Sequence, residues 1–500
     1  MRNRKLKFKF AWVTILLAGT SMFSFAQQQL ITIEQALDIA EENNPQMITS
    51  KLNLERTLFL LEAQRASLKP QFSLNLNPFD YTQTRRFDDR DSYWYTTKGL
   101  GTNGTFRGSL PLIWTDGTLS LTNRFGWQES QSTRIGAESS NKAFTNNLNL
   151  RYDQPVFTYN RQKMEFKRLE FDYENAAISY ALQRLRTELS ITRQFYSVYS
   201  AQESLIITEA ELENSKLNYN ITKSKVDAEL SARDELFQAE VNLATAESSV
   251  QRSIVTLNNA KDDLKQTLGM PLSQDIGVIA DIEVTTLSID QGRAIQSGLS
   301  SRMELRQREI AMDLADLTMI TIKAQNEFRG NVSLQVGIIG DNERFGNIYE
   351  TPTNNPSVSI SLSIPIFDWG EKKARVKAQQ TQQTIAKLNY ENEKIDIELS
   401  IRQTVRNLVN YGNQIGIQEK TVRNAEQTYD LNLVRFREGD ITSFQINQFQ
   451  TQLSTAKNSL VSSKISYKIE LLNLKIASLY DFVKDEPLVP LSDSNYTGKK

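Results

Sequence analysis

The sequence predicts a mainly α protein with a membrane β-barrel, built from two copies of a unit in which strands lead into a very long helical hairpin. Segments 210 residues apart match without a gap: Pro155-Val156-Phe157 with Pro365-Ile366-Phe367, Glu229 with Gly439, Gln238 with Gln448, and Leu264-Lys265 with Leu474-Lys475. In both copies an alternating segment (Leu148-Asn149-Leu150-Arg151-Tyr152, then Ser359-Ile360-Ser361-Leu362-Ser363-Ile364) meets a proline and gives way to helical periodicity. No run of 18 or more apolar residues follows the N-terminal leader, so any membrane entry must use a closed sheet.

Met1 to Ala26 reads as a secretory signal, with Arg2, Arg4, Lys5, Lys7 and Lys9 ahead of an apolar run from Phe10 to Leu17 and a small-residue cleavage site at Ser24-Phe25-Ala26. Without those five basic residues the mature chain holds 53 basic against 59 acidic side chains, a net charge near −6. Nucleic acid is not a favoured partner, since no basic block survives processing. Cysteine and histidine are both absent. Their absence removes disulfides, a thiol nucleophile, the usual zinc sites and every Ser-His or Cys-His catalytic arrangement. No cofactor or metal is expected, and no enzymatic activity.

A first repeat is expected over residues 27–278, a second over 279–480, and a polar tail over 481–500. Each opens with a capping box, Thr32-Ile33-Glu34-Gln35 and Ser288-Ile289-Asp290-Gln291, before helical patterns over 32–67 and 288–327. Barrel strands follow over 70–157 and 330–367, with first-half segments at 71–79, 105–114, 118–129 and 144–157, and Thr115-Asp116-Gly117 as a tight turn. In the second half, Asn331 to Ile338 and Ser357 to Ile366 alternate over the length a tilted strand needs to cross a bilayer. Trp94, Trp114, Trp127 and Trp369 all lie in or beside these regions, as an interfacial aromatic girdle requires. The offset between halves is 256–258 residues in the opening helices but 210 in the long ones, so the first half carries one additional hairpin, near 105–129. Whether it joins the barrel wall, giving six strands rather than four, is open.

From Arg161 to Leu268 there is neither glycine nor proline. One straight helix of that length would reach about 160 Å at 1.5 Å per residue, so the chain must fold back. Arg437-Glu438-Gly439-Asp440 is a turn signal, and subtracting 210 places the matching bend near Asp227 to Glu229. Long helical hairpins are therefore expected at 161–268 and 370–480. Pro155 and Pro365, with Phe157, Phe367 and Gly370, mark the strand-to-helix junctions, where the prolines are expected to interrupt strand pairing. Gly99-Leu100-Gly101-Thr102-Asn103-Gly104 matches GxGxxG without the strand-to-helix context that nucleotide binding needs, and reads as a surface loop.

With these motifs in order, the sequence resembles the TolC-like outer membrane efflux family over essentially the whole mature chain. The resemblance is carried by Leu30-Ile31-Thr32-Ile33-Glu34-Gln35-Ala36-Leu37 with Asn43-Asn44-Pro45, Ser67-Leu68-Lys69-Pro70, Gln154-Pro155-Val156-Phe157, Pro365-Ile366-Phe367-Asp368-Trp369-Gly370 and Arg437-Glu438-Gly439-Asp440-Ile441-Thr442-Ser443. It implies a homotrimeric α/β-barrel channel in the outer membrane whose helices continue into the periplasm. It also implies a periplasmic adaptor, an inner membrane pump and outer membrane lipid as partners, in tripartite efflux or type I secretion. Adaptor-docking residues at the tips are then Ser231, Arg233, Arg435, Arg437, Gly439 and Ser443.

Glu229 departs from the glycine the family favours at the first tip, which predicts a wider or differently shaped bend. Gln445 and Gln448 stand where the family often has acidic residues. The constriction set Glu235, Gln238, Gln445 and Gln448 is therefore expected to be weakly charged. A non-porous periplasmic or surface coiled-coil scaffold is the rival reading, and an outer membrane hydrolase a remoter one. The transported substrate stays open between small molecules and polypeptides.

Overall fold

Hydrophobic periodicity alternates between two residues and three to four along the chain, and the backbone follows it. The computed structural model describes residues 29–134 and 139–488; the expected leader at Met1 to Ala26 and residues 489–500 of the expected tail lie outside them. The first half runs β1 (Gln29–Ile31), α1 (Ile33–Asn43), α2 (Pro45–Ser67), β2 (Gln71–Asp88), β3 (Tyr93–Leu112), β4 (Gly117–Ser132), β5 (Ser139–Val156), α3 (Arg161–Asp227), α4 (Arg233–Leu268) and β6 (Ile276–Val278). The second half runs α5 (Gln291–Ser301), α6 (Met303–Lys323), β7 (Arg329–Asn342), a 3-10 turn (Phe345–Asn347), β8 (Thr353–Asn354), β9 (Ser357–Ser363), α7 (Glu371–Glu438), α8 (Ser443–Ser478), β10 (Tyr480–Asp481) and β11 (Glu486–Pro487). The offset of 210 relates both ends of α4 to α8 and the start of α3 to that of α7. No helix among the described residues is long and apolar enough to cross a membrane.

The chain divides into two compact units. Of the described residues, one holds those up to Asn43, Ile191–Asp281 and Ala425–Asn458; the other holds those from Asn44 to Ser190, Ile282–Asn424 and those from Ser459 onward.

The second unit carries an antiparallel sheet in the order β2-β3-β4-β5-β7, with β9 and the short β8 both on β7. The additional hairpin thus joins this sheet. Along the register one face stacks Leu74, Phe106, Asn123, Leu148 and Ile338, and Phe72, Gly108, Leu121, Leu150 and Val336. The opposite face stacks Ser73, Arg107, Thr122 and Asn149, and Gln71, Ser109, Ser120, Arg151, Gln335 and Ser357. A two-residue side-chain period makes one face apolar and the other polar. Helical packing in this unit centres on Ile397, Ile401, Val405, Leu408, Tyr467 and Leu474.

Most strands outrun their alternating segments, but β9 stops at Ser363, short of the expected Ile366. Gly99 to Gly104 lies inside β3 rather than in a surface loop, because its residues pair with β4 throughout and with β2 on either side of a register shift at Thr102. Pro155 does not interrupt the ladder either: it is in register with Asn331, and the chain turns at Phe157, whose φ is 62°.

Both opening helices are broken where the periodicity alone reads straight through. Asn44 and Arg302 share φ −65° and ψ 122°, 258 residues apart. At the first break Pro45 cannot donate a helical hydrogen bond, and Asn44 Oδ1 accepts from Gln46 N and Met47 N at 2.9 Å, restarting the helix. At the second, Arg302 is held by Glu304 at 2.7 Å and by the carbonyls of Ile476 and Ala477. The Thr32–Gln35 box is reciprocal, at 3.1 and 3.4 Å. Ser288 does not cap its helix; Asp290 does, accepting from Gly292 N at 2.8 Å, so α5 starts later than expected. Residues 481–487 of the segment expected as a tail belong to the β10–β11 hairpin, which begins at Tyr480.

In the first unit β1 pairs in parallel with β6, and the Gln202 side chain brackets Val278 through both its N–H and its carbonyl. Gly269 ends α4 at φ 72°, where a Cβ would lie 2.2 Å from the Asn43 carbonyl oxygen. Only glycine fits that approach.

Candidate functional site

The two helical bends use the same chemistry. At the first, Glu229 adopts φ 60°, with Glu229 N donating to Val226 O at 3.0 Å and Leu230 N to Lys225 O at 2.8 Å. At the second, Gly439 adopts φ 96°, with Gly439 N donating to Phe436 O at 3.2 Å and Asp440 N to Arg435 O at 2.9 Å. Each pair of bonds satisfies the last orphan carbonyls of a long helix. The expectation that Glu229 reshapes the first bend is therefore corrected: the hydrogen bonds of the αL cap fix its geometry, and the glutamate backbone bears the conformational cost. Gly439→Ala should lower stability by about 1–2 kcal/mol, whereas Glu229→Gly should be neutral or stabilising. Thermal loss of helical circular dichroism for the two variants in detergent checks both signs.

The restarts differ. Thr442 and Gln445 form a reciprocal capping box, Thr442 N to Gln445 Oε1 at 2.9 Å and Gln445 N to Thr442 Oγ1 at 3.3 Å. Helix α4 starts from Ala232 with no side-chain cap; Ser231 Oγ donates to Glu235 Oε2 at 2.7 Å, and Asp234 and Glu235 place negative charge at the helix N-terminus.

A lysine fastens one bend to the other. The Lys225 ammonium donates to the Phe436 carbonyl and lies 4.7 Å from the centroid of the Phe436 ring. Beneath it, Tyr429, Phe436, Ile441 and Ile446 form a buried cluster against which Ile221 of α3 packs. Burial, with the Asp430 charge second, pushes the Tyr429 phenol up to about 12, so it stays neutral across the working range.

Of the docking candidates, Arg233, Arg435, Arg437 and Gly439 are exposed and Ser231 is half-buried. Ser443 is 2% exposed, walled in at the start of α8, and offers no side chain to a docked protein; that expectation is withdrawn. Of the constriction candidates, Gln445, Gln448 and Gln238 are exposed, Gln445 being engaged in its capping box and Gln238 bonding Asn242 at 3.0 Å; Glu235 is half-buried. Lys225 and Phe436 escape sequence reasoning, because their roles arise only when α3 meets α7. The available signal was that Lys225 stands 210 residues before Arg435.

At the strand-to-helix junctions, Asp116 in the β3–β4 turn accepts from Gln162 N at 3.1 Å and Arg161 Nε at 2.9 Å, capping α3. Asp368 does the same for α7, accepting from Lys372 N at 3.1 Å and Gly370 N at 2.9 Å, and those amides, Lys372 first, hold its carboxyl below the ordinary range. Phe157 packs on Phe328 at 4.9 Å and Phe367 on Trp369 at 4.8 Å. Trp369 and Gly370 are both at positive φ, so the second turn falls beyond Pro365. On the polar sheet face Arg151 pairs with Asp153 at 2.8 Å, while Arg107 and Arg124 have no carboxylate within ion-pair distance among the described residues. Such guanidinium groups require water.

Residues 331–478 match the profile of a family described as outer membrane efflux protein. The chain is 22% identical over 466 residues to the outer membrane protein TolC of Escherichia coli (strain K12), covering 92% of this chain and 85% of that protein. Its fold is similar to the Campylobacter jejuni CmeC outer membrane channel, with a TM-score of 0.67 at 13% identity over 95% of this chain and 94% of that one. It is also similar to the open state of the Neisseria gonorrhoeae MtrE outer membrane channel, with a TM-score of 0.63 at 15% identity over 89% and 88%. At these identities the solved structures speak to fold alone.

Proposed function

We propose, from the premise that this chain belongs to the TolC-like outer membrane efflux family, that it is the passive exit duct of a tripartite efflux or type I secretion assembly. Three copies close one barrel, a periplasmic adaptor docks on the hairpin tips, and an inner membrane pump supplies the driving force. The duct does no chemistry of its own. Its two structural repeats, 27–278 and 279–480, descend from one duplicated unit.

One observation carries the reading: a sheet whose six strands besides the two-residue β8 present a mainly apolar face and a polar, arginine-bearing opposite face, with two open edges among the described residues at β2 and β9. Such a sheet has a lipid side and a water side but no closure of its own. Unpaired edge groups in hydrocarbon cost several kcal/mol each, so further copies must complete the wall. Six strands from each of three copies give eighteen, a size class that leaves an aqueous bore. The tip residues Glu235, Gln238, Gln445 and Gln448 form a weakly charged constriction, and Ser231, Arg233, Arg435, Arg437 and Gly439 face the adaptor.

The mature protein, extracted in detergent and reconstituted in a planar bilayer, is expected to be trimeric by native mass spectrometry and to conduct in unitary steps. Extraction without detergent as a monomer, with no conductance, would overturn the channel in favour of the coiled-coil scaffold.

A further inference from the structure

The polar face of the sheet gathers its unpaired cations into one band. Three successive rows across the strands carry one arginine each: Arg151 in register with Ser120 and Gln335, Arg107 with Ser73 and Thr122, and Arg124 with Thr105 and, through β5, Asn147. No other side chain in these rows is acidic, and all three arginines are exposed. They stand on adjacent strands, β3, β4 and β5, in rows about 7 Å apart. The carboxylates of this face lie outside the band. Asp153 sits one row nearer α3 and pairs with Arg151 at 2.8 Å, Asp341 and Asp80 lie beyond Arg124, and Asp88 pairs with Arg134 at 2.7 Å. Once Asp153 offsets Arg151, Arg107 and Arg124 remain as two charges without a counter-charge among the described residues. Between Arg107 and Arg151 the surface forms a basin of about 460 Å³ whose walls add the hydroxyls of Ser120 and Thr122 and the amides of Asn149 and Gln335. Each of these groups can donate a hydrogen bond, and no carboxylate lines the basin.

We propose that this band is an anion-binding site in the bore, and that the duct favours cargo bearing a carboxylate or a phosphate. This rests on the channel reading and names the class of substrate its barrel accepts. A guanidinium presents paired N–H donors that match two oxygens of a carboxylate or phosphate, and rings of basic side chains are how pores favour anions. Like charges on neighbouring strands repel, and an anion seated among them relieves that repulsion. The low-dielectric wall focuses the field of these charges into the water beside them. In a trimer the uncompensated arginines form a ring, two from each of three copies and six in all. Of the proposed constriction residues only Glu235 is acidic, one from each copy and three in all, so the tips do not reverse the sign set in the bore.

In a planar bilayer under a potassium chloride gradient, the reconstituted parent is expected to pass chloride over potassium by about threefold or more. Arg107→Gln with Arg124→Gln should abolish that preference. Millimolar inorganic phosphate should reduce chloride current through the parent but not through this double variant. Ser120→Glu, which sets a carboxylate beside Arg107 and Arg151 and keeps every arginine, should also lower the preference and serves where the double variant assembles poorly. A conducting parent that prefers potassium, or variants as anion-selective as the parent, overturns the inference and leaves the channel intact. Phosphate without effect on the parent current overturns the bound site. Absence of any conductance overturns the channel reading itself.

Discussion

Replacing Ile360 by lysine is expected to lower the amount of assembled protein in the outer membrane at least tenfold, whereas lysine at the next residue, Ser361, leaves assembly near the parent level. The two positions are neighbours on β9, in register with Val332 and Asn331 of β7. Ile360, 67% exposed, belongs to the apolar face with Val358 and Leu362. A lysine facing lipid costs up to roughly 2–4 kcal/mol, the full amount at the bilayer midplane, and about 1.4 kcal/mol is a factor of ten. Ser361 shares its face with Ser359, Ser363 and, across the sheet, Arg107 and Arg151, where a cation meets water. Quantifying the two variants in outer membrane fractions checks the assignment of faces. Equal loss at both positions would mean that β9 does not separate lipid from water.

Lys225→Met is expected to raise the open probability of the reconstituted channel by about tenfold or more. A hydrogen bond from a charged donor is worth roughly 1.5–3 kcal/mol, and here it ties the end of α3 to the end of α7. If the tips separate on opening, the bond exists only in the closed state, and its removal shifts the population by that free energy. Lys225→Arg keeps a donor and should stay near the parent. Single-channel recording in planar bilayers distinguishes these outcomes, and a methionine variant as closed as the parent would remove Lys225 from the gate.

Much of this architecture is legible in the sequence, for identifiable reasons. A stretch from Arg161 to Leu268 without glycine or proline is too long for a single arm, and the offset of 210 locates the fold-back to within a few residues of the observed bend at 228–232. The additional hairpin follows from the change of offset between repeats. What escaped depends on competition between local signals or on packing. Asn44 breaks a helix whose apolar period runs straight across Pro45, and Asp290 outcompetes Ser288 as a cap. Strand ends escape because β3 carries Gly99, Gly101 and Gly104, which blur alternation, while Gly99 and Gly104 admit β2 side chains: a Cβ on Gly104 would sit 3.1 Å from Leu76 Cδ2. At the tips the turn chemistry was visible and the partners were not. Ser443 lies buried and Lys225 reaches across to Phe436, because tertiary contact, not sequence neighbourhood, decides which tip side chain meets solvent.

The open margins of the sheet also constrain biogenesis. Among the described residues, strand β2 pairs only with β3, and β9 only with β7. On the channel reading proposed above, a copy arriving alone at the bilayer cannot lower its energy by going in, since hydrocarbon offers its bare margins no exchange for the water they give up. On that reading commitment to lipid waits for an encounter, its kinetics are of higher than first order, and scarce synthesis slows insertion more than proportionately.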